Sequence, residues 1–497
     1  MVVGITSAAT AQAQATAEQA REIATALKRY IDSRILDPSP ELSLDLDGQI
    51  EVAAVGDRYV GSVPSGRLLV DTNDGSAVAL TFAEPLTFEL FVTDRGWYDV
   101  TFTVPSSVRV GVYPGLLPNE ISPSQTPALT ATGTIGQQRG SAVLMPEYET
   151  VASYDLVWSD LRLRIAEQPI DLQLGRLSAI QTGQEVEPGI FDNRATFDLA
   201  NLALSVIEED LLIELDGLFG EMSATGVNLP AQTALMVTVE PLLQQLEGQP
   251  EDPALYEELR SILAETPNLI SGFAGTSELH GLRIHTQDQF VGLAQTTGSI
   301  ALSGLASDHA DLSLSFDLSG LEIQPEIPFQ GLIPVEAGYD IRATDVSTDV
   351  LLDWLDTLLA TIPELGAEVA VPASFFTLYE DLAGTGALLD IRSMHVETQS
   401  AGFSFSGRIR PDSAAMFGAT VEADLEATAL GRLTETLRTL PDAGAAAAAG
   451  LAMIQALGSR ETNDSGETVH RYQFEVTRDG MVMLNGNDLG PILDQVR

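Results

Sequence analysis

Cysteine is absent from this chain of 497 residues, and lysine occurs once, at Lys28. Without cysteine the protein has no disulfide bond, no thiolate metal site and no cysteine nucleophile, so packing and hydrogen bonding must supply its stability. Aromatic residues are also scarce, at 6%. No stretch reaches the ~18 uninterrupted apolar residues of a membrane-spanning helix. We therefore expect no membrane span.

Basic residues are few in general, with 25 against 71 acidic residues and a formal net charge of −46. Such a surface repels phosphate backbones, which excludes nucleic acid as an expected partner and disfavours anionic membrane surfaces. Two interpretations of the charge remain. It keeps the protein soluble in salty surroundings, or it forms a surface for cations or for a basic partner.

A recurring strand pattern stands out among the residues that are present. It consists of an aromatic or aliphatic residue, then aspartate, then leucine or isoleucine, followed by a short apolar–polar alternation. The copies are Tyr154-Asp155-Leu156, Phe197-Asp198-Leu199, Phe316-Asp317-Leu318, Tyr339-Asp340-Ile341 and Leu389-Asp390-Ile391. Each copy predicts a strand with one apolar face and one polar face. A series of such strands predicts a one-sided sheet that helices or a second sheet must cover, or that forms a groove for an apolar ligand.

The order of strand and helix patterns predicts the domain organisation. Residues 1–15 read as a signal-peptide remnant, residues 16–125 as an N-terminal helix plus a β-meander, and residues 126–497 as a repetitive β-rich body. Helices are expected in that body near 230–269, 347–381 and 425–457. Several strands separate each helical block from the next, which is not the strict alternation of a parallel sheet. We expect a β-dominated α+β fold, with extended antiparallel sheets of repeated amphipathic strands and helical blocks packed on one face.

The first residues resemble the end of a secretory signal. Ala11-Gln12-Ala13-Gln14-Ala15 follows a short apolar stretch and offers an A-x-A cleavage site. This predicts export to the periplasm. The alternative is an alanine-, glutamine- and threonine-rich leader on a cytoplasmic protein.

Two histidine-containing segments are candidates for catalytic or metal sites. Ser307-Asp308-His309 holds the residue types of a hydrolase triad, but triads converge from separate segments, so we interpret it as a polar turn. His280 and His285 lie five residues apart, which on a strand places them on opposite faces. Neither segment predicts a site.

Acidic segments give the same result. Asp45, Asp47 and Gly48 are similar to the opening of a calcium loop, but the twelfth position is Ala54 where such a loop needs a bidentate acid. Glu208-Glu209-Asp210 and Glu251-Asp252 read as solvated turns, and no phosphate-binding glycine motif occurs. We predict no catalytic, cofactor-binding or metal-binding residues and no cofactor.

Two further motifs carry a family resemblance. Leu318-Ser319-Gly320-Leu321 and the segment from Asp479-Gly480 to Asn485-Gly486, with the signal-like start and the opening helix, resemble an uncharacterised exported alphaproteobacterial family catalogued as a domain of unknown function. More loosely, the chain resembles AsmA-like envelope proteins, whose β-rich bodies are associated with lipid handling between two membranes. The resemblance implies a periplasmic, β-rich protein and brings no catalytic residues.

The sequence therefore favours an exported, soluble protein that is not an enzyme. It would bind a lipid or another apolar ligand, or act as a scaffold for an envelope protein partner. Three alternatives stay open: a surface or assembly protein that works through protein contacts, a hydrolase with a scattered site, and a closed core in which the apolar faces pack against each other.

Overall fold

Strands dominate the computed structural model, which confirms the expected β-dominated α+β class, and every strand pairing described is antiparallel. The structure describes residues 15–31, 42–72, 76–117, 120–122, 125–148, 150–165, 169–249, 252–265, 269–325, 330–383, 385–440, 444–462 and 466–489. The proposed signal segment lies outside them except for Ala15. Among the described residues, no helix is long and apolar enough to cross a bilayer.

The elements of the first half of the chain follow in order. They are α1 (Ala17–Tyr30), β1 (Leu42–Leu46), β2 (Glu51–Val55), β3 (Arg58–Val63), β4 (Gly66–Asp71), β5 (Ser76–Phe82), β6 (Leu86–Val92), β7 (Tyr98–Thr103), β8 (Ser107–Pro114), β9 (Leu129–Thr134), β10 (Gln137–Met145), β11 (Thr150–Ile165), β12 (Ile170–Glu187), β13 (Ile190–Val206), β14 (Leu211–Asn228), α2 (Leu229–Gly248) and α3 (Pro253–Glu265).

The second half continues the pattern of long strands and helix pairs. Its elements are β15 (Gly272–His285), β16 (Phe290–Ser303), β17 (His309–Gln324), β18 (Pro334–Ser347), α4 (Thr348–Leu365), α5 (Ala367–Leu382), β19 (Leu388–Thr398), β20 (Gly402–Pro411), β21 (Ala419–Thr428), α6 (Leu430–Arg438), α7 (Gly444–Leu457), β22 (Ser459–Thr462), β23 (Thr468–Val476), β24 (Val482–Leu484) and β25 (Asn487–Asp488).

The chain divides into two compact units. The first comprises residues 1–182 and 196–214, and the second comprises residues 183–195 and 215–497. The boundary expected near residue 125 falls inside the first unit. Each unit is described by itself.

Strand β11 organises the sheet of the first unit. One edge of β11 pairs with β10 along residues 150–159 and then with β9 along residues 162–165, while the other edge pairs with β12. Strands β7, β6, β3 and β2 continue outward from β10, and strands β8, β5, β4 and β1 continue from β9. Asp160, at the changeover between β10 and β9, has a left-handed φ of 54°.

Helix α1 covers part of this sheet. Thr16 caps its start by accepting a hydrogen bond from the Gln19 amide. Lys28 and Arg29 in its last turn place positive charge at the negative end of the helix dipole, which is stabilising. The apolar stripe of α1 packs onto strands β3, β6 and β7. The buried residues of this core are Ala20, Ile23, Tyr59, Phe88, Leu90 and Val100.

The second unit contains a long run of neighbouring strands. Strands β15, β16, β17, β18, β19, β20 and β21 pair in chain order, and β23 pairs with β21. The other edge of β23 pairs with β22 and then with β24. This run is the one-sided sheet that the strand repeat predicts.

The helices of the second unit lie at the two ends of these strands. The α2–α3 and α4–α5 pairs leave one end, because the last residue of β18 and the first residues of β15 and β19 lie there. Arg260 of α3 forms two hydrogen bonds of 2.7 Å to the Asp356 carboxylate of α4. Helices α6 and α7 lie at the other end. The third helical block starts at Leu430, later than the sequence predicts, because β21 alternates and pairs with β20 up to Thr428.

Left-handed residues interrupt several long strands. Asp160, Asn201, Gly281, Gly320 and Asp345 all have φ between 54° and 69°. In β17 the apolar positions are even-numbered up to Leu318 and odd-numbered from Leu321, so the alternation changes at Gly320, as expected when a left-handed residue breaks a strand. The left-handed residue follows the two Phe-Asp copies of the repeat by four positions and the two Tyr-Asp copies by six.

Candidate functional site

The histidine segments singled out in the sequence do not converge into a site. The Ser307 hydroxyl donates to the backbone oxygens of Gly304 and His309, both at 2.8 Å, which makes the segment a polar turn. His280 lies 3.2 Å from the Glu278 carboxylate on its own strand, and His285 packs against the Phe290 ring. Among the described residues, no group of three metal-binding side chains occurs.

The acidic residues considered for calcium are engaged in contacts between strands and loops. The Asp45 carboxylate accepts a hydrogen bond from Arg67 at 2.9 Å, and Asp47 accepts one from Ser65 at 3.1 Å. Glu208 and Glu209 lie in a short 3-10 turn that ends at Asp210. Glu251 lies outside the described residues.

The strand register of the second unit collects apolar side chains on one side of the sheet. Residues paired directly across antiparallel strands lie on the same face. We call this side of strands β15–β21 the apolar face. It consists of Phe273, Leu279, Ile300, Leu302, Leu312, Leu314, Phe316, Leu318, Ala337, Tyr339, Ile341, Ala343, Leu389, Ile391, Met394, Val396, Phe403, Phe405, Ile409, Val421, Ala423, Leu425 and Ala427, with Ser277, Thr296 and three glycines among them.

The opposite face of the same strands is polar and contains ion pairs. Arg408 of β20 contacts Asp390 of β19 at 3.4 Å. His395 of β19 reaches Asp317 of β17 at 3.5 Å, across the intervening strand β18. That contact passes over Gly338, where an added Cβ would lie 2.7 Å from the His395 ring and 2.8 Å from the Asp317 carboxylate. The polar face is therefore built to meet water.

The apolar face is exposed over much of its area. Among the described residues of strands β15–β23, six large apolar side chains are at least 36% exposed, and all six lie on this face or on its continuation into β23. They are Phe273, Ile300, Leu312, Leu314, Met394 and Phe474. Contiguous exposed apolar surface of this kind marks a binding groove or an interface.

An aromatic row crosses the middle of the apolar face. The rings of Phe316 and Tyr339 stack with centroids 5.9 Å apart. The row continues on β19 and β20. Met394 lies opposite Tyr339, and Phe405 lies opposite Met394. Such a row offers flat, adaptable contacts to a hydrocarbon chain.

Helices α6 and α7 close one corner of the apolar face. Ala427, Leu430 and Tyr472 form a buried cluster there, and Phe403 and Leu425 pack against it. The Tyr472 hydroxyl donates to the Ile454 backbone oxygen at 3.0 Å, and burial raises the pKa of Tyr472. The face is therefore covered around Ala427 and Tyr472, at the α6–α7 end of β21 and β23, and open from β15 to β19 and at Phe474.

His470 also lies beneath this corner and was not singled out in the sequence. Its side chain is 6% exposed, and its Nδ1 atom has no hydrogen-bond partner among the described residues. Register places it opposite Ala427. An isolated histidine in a strand gives no sequence signal for such burial.

The first unit contains a different concavity. A shallow groove of about 800 Å³ runs between α1 and strands β2, β3 and β6. Its lining mixes charged, polar and apolar groups, among them Arg21, Glu51, Ser62 and Val60. Ser62 and Glu51 are cross-strand partners there, and the mixed polarity of the lining does not match an apolar ligand.

Comparison with known proteins adds no relative. No family model matches the chain, and neither a curated protein nor a solved structure is significantly similar to it. The resemblances to an exported alphaproteobacterial family and to AsmA-like proteins stay predictions. The geometry of the apolar face must therefore carry the functional argument.

Proposed function

We propose that this protein binds an apolar ligand, a lipid with hydrocarbon chains, on the apolar face of its second unit. The observation that carries the proposal is the one-sided exposure of Phe273, Ile300, Leu312, Leu314, Met394 and Phe474. Exposed apolar surface is unfavourable by roughly 25 cal/mol per Å². A hydrocarbon ligand would remove that surface from water.

The dimensions of the face suit an acyl chain. Strands lie about 4.8 Å apart, so the six strands from β15 to β20 span roughly 24 Å across the sheet. One leaflet of a bilayer core is about 15 Å thick, half of the ≈ 30 Å total. A single acyl chain therefore fits across the strands, along the rows of aliphatic and aromatic side chains.

The proposed role is binding rather than catalysis, and the proposed location is the periplasm. The Ser307 segment forms a polar turn, and Asp317, Asp390 and His395 form ion pairs on the polar face. The alanine-rich start supports export, with a cytoplasmic location as the alternative. A soluble lipid-binding protein of the envelope accounts for both features.

Native mass spectrometry with lipid extraction tests the proposal directly. The protein is purified from the envelope of its own host without detergent. A lipid that co-purifies at fixed stoichiometry is the expected result. A clean ligand-free mass, together with no uptake of lipid added in micelles, would overturn the proposal.

A pair of neighbouring substitutions locates the bound lipid. Leu314→Asp and Ser313→Asp each add one carboxylate to β17, on the apolar and the polar face respectively. A carboxylate buried under a hydrocarbon chain is strongly unfavourable. We expect Leu314→Asp to lower lipid occupancy at least tenfold and Ser313→Asp to leave it unchanged. Equal occupancy in the two variants would place the ligand elsewhere.

A second candidate is assembly through protein contacts. Helix α7 contains no charged residue and exposes Met453, Ile454 and Leu457 by 50% or more. A ligand-free mass combined with concentration-dependent self-association would favour this function. Substituting these three residues with serine would then abolish the association.

A further inference from the structure

Two tight turns at one end of the second unit's strands present three large apolar side chains to solvent. Met416 and Phe417 lie in the loop between β20 and β21, and Met481 lies in the turn between β23 and β24. Their exposures are 72%, 55% and 47%. We call these three residues the apolar tip.

The apolar tip is held in place by the turns that carry it. The Met416 amide donates to the Arg478 backbone oxygen at 3.0 Å, and Arg478 pairs with Asp412 at 3.0 Å. Gly480 has a φ of 80°, and an added Cβ there would collide with the Met416 side chain. The two turns therefore pack against each other, and the exposure of the tip is a property of ordered structure.

The apolar tip continues the apolar face. Ile409 and Val421 lie in the last row of the face, each two residues from the strand end that flanks the loop with Met416 and Phe417. Val476 pairs with Val421 in that row, and Phe474 is exposed one row further in. A ligand moving off the open rows would meet the tip without crossing a polar barrier in β20, β21 or β23.

The negative charge at this end of the strands determines which kind of lipid surface the tip could contact. Four helices lie at the same end, in residues 229–269 and 348–383. Each of these two segments contains seven acidic residues, and together they contain one basic residue, Arg260. In these helices and the two turns, Arg260 and Arg478 are the basic residues, and each is paired with an aspartate. Arg410, near the end of β20, adds a third basic residue at this end. This end repels anionic lipids, which attract basic clusters. It complements the ammonium groups at the surface of zwitterionic lipids.

We infer that the apolar tip docks the second unit onto a zwitterionic lipid bilayer, so that lipid passes between that bilayer and the apolar face. The inference rests on the proposed lipid-binding function, because it specifies where the ligand enters. Apolar side chains that insert at the headgroup boundary are a common basis of such reversible docking.

Vesicle flotation with the full chain tests the docking. The tip variant is Met416→Ser, Phe417→Ser and Met481→Ser. The matched control is Val55→Ser, Phe91→Ser and Val92→Ser in the first unit, which removes three exposed apolar side chains that belong neither to the apolar face nor to the tip. With phosphatidylcholine vesicles, we expect the tip variant to bind at least tenfold more weakly and the control to bind like the unaltered protein. Adding anionic lipid to the vesicles should weaken binding of the unaltered protein.

Lipid uptake from detergent micelles, measured on the same three proteins, separates this inference from the proposed function. Normal uptake by the tip variant with lost flotation supports docking through the tip. Equal flotation of the tip variant and the control, or stronger binding to anionic vesicles, overturns the inference even if lipid binding holds. Absence of lipid uptake by the unaltered protein overturns the proposed function. In that case flotation still measures whether the tip docks onto vesicles.

Discussion

The sheet beneath α1 and the open sheet of β15–β19 are built from the same alternating strands but differ in what covers them. In the first unit, Phe88 and Leu90 are 6% and 3% exposed, because Ala20 and Ile23 of α1 pack onto them. In the second unit, Leu312 and Leu314, which likewise alternate along their strand, are 41% and 39% exposed. The strand pattern therefore determines which face is apolar, whereas a separate element determines whether that face becomes a core.

The helices near the open face show why it remains open. Arg260 links α3 to α4, and the Trp354 indole of α4 donates to the Ser374 backbone oxygen of α5 at 3.0 Å. These contacts join the helices to one another, and Leu352 of α4 is 63% exposed. Covering strands with a helix requires that the apolar stripe of the helix faces them, as in α1. In the described part of the second unit, α6 and α7 pack in this way at one corner.

The largest expected effect comes from truncating one leucine in each region. Leu90→Ala removes a fully packed side chain, and we expect it to lower the free energy of unfolding of the first unit by about 2–5 kcal/mol. Leu312→Ala should lower that of the ligand-free second unit by less than about 1 kcal/mol, because its side chain is half exposed. Hydrogen exchange of the backbone amides in β6 and in β17 measures the loss of local stability in each variant.

Bound lipid should affect the two regions that contain Leu90 and Leu312 differently. Lipid that covers Leu312 should slow exchange in β17 and leave β6 unchanged. If Leu312→Ala costs as much as Leu90→Ala in delipidated protein, then the apolar face is a closed core and the contrast between the regions is wrong.

An intermediate effect is expected at the left-handed positions. Gly281 has a φ of 63°, and an added Cβ would collide with the Asp216 carboxylate. Gly281→Ala should therefore cost about 1–2 kcal/mol for the backbone alone. Gly275→Ala, on the same strand, would meet Ile300 at an ordinary 3.6 Å and should change stability by less than about 0.5 kcal/mol. Thermal unfolding of both variants measures the difference, and equal losses would contradict the role assigned to the left-handed residue.

The smallest expected effect concerns pH. The hydrogen bond from Arg260 holds the pKa of Asp356 below its usual range, and Arg283 does the same for the pKa of Asp216. A depressed folded-state pKa stabilises the fold above the unfolded-state value of about 3.9, and this stabilisation is lost as the pH falls through the folded-state value. Both pairs are exposed, so the gain is small.

Arg260→Gln tests that sign. At neutral pH the variant should unfold at slightly lower urea than the unaltered protein, and the gap should close below about pH 4 as Asp356 becomes protonated. Arg438→Gln, at the end of α6, serves as the control, with a pH-independent offset expected. A gap that widens in acid would show that the pairing does not stabilise the fold.

Much of the fold follows from local pattern, and the site only in part. The alternation of Leu312, Leu314, Phe316 and Leu318 predicts a one-sided strand, because each residue's burial depends on its immediate neighbours. The pairing of the strands depends on contacts between residues distant in sequence. So does the position of Met394, which completes the aromatic row after a register shift in β19. The tip was not predictable, because Met416 and Met481 are 65 positions apart and meet only through the pairing of β21 with β23.

The single lysine at the end of α1 has a practical consequence for labelling. An amine-reactive dye would attach to one side chain, Lys28, besides the α-amino group. That side chain is exposed and belongs to the region where the sheet is covered. A fluorophore there leaves every residue of the apolar face and the tip chemically unaltered, so fluorescence can follow the protein onto vesicles.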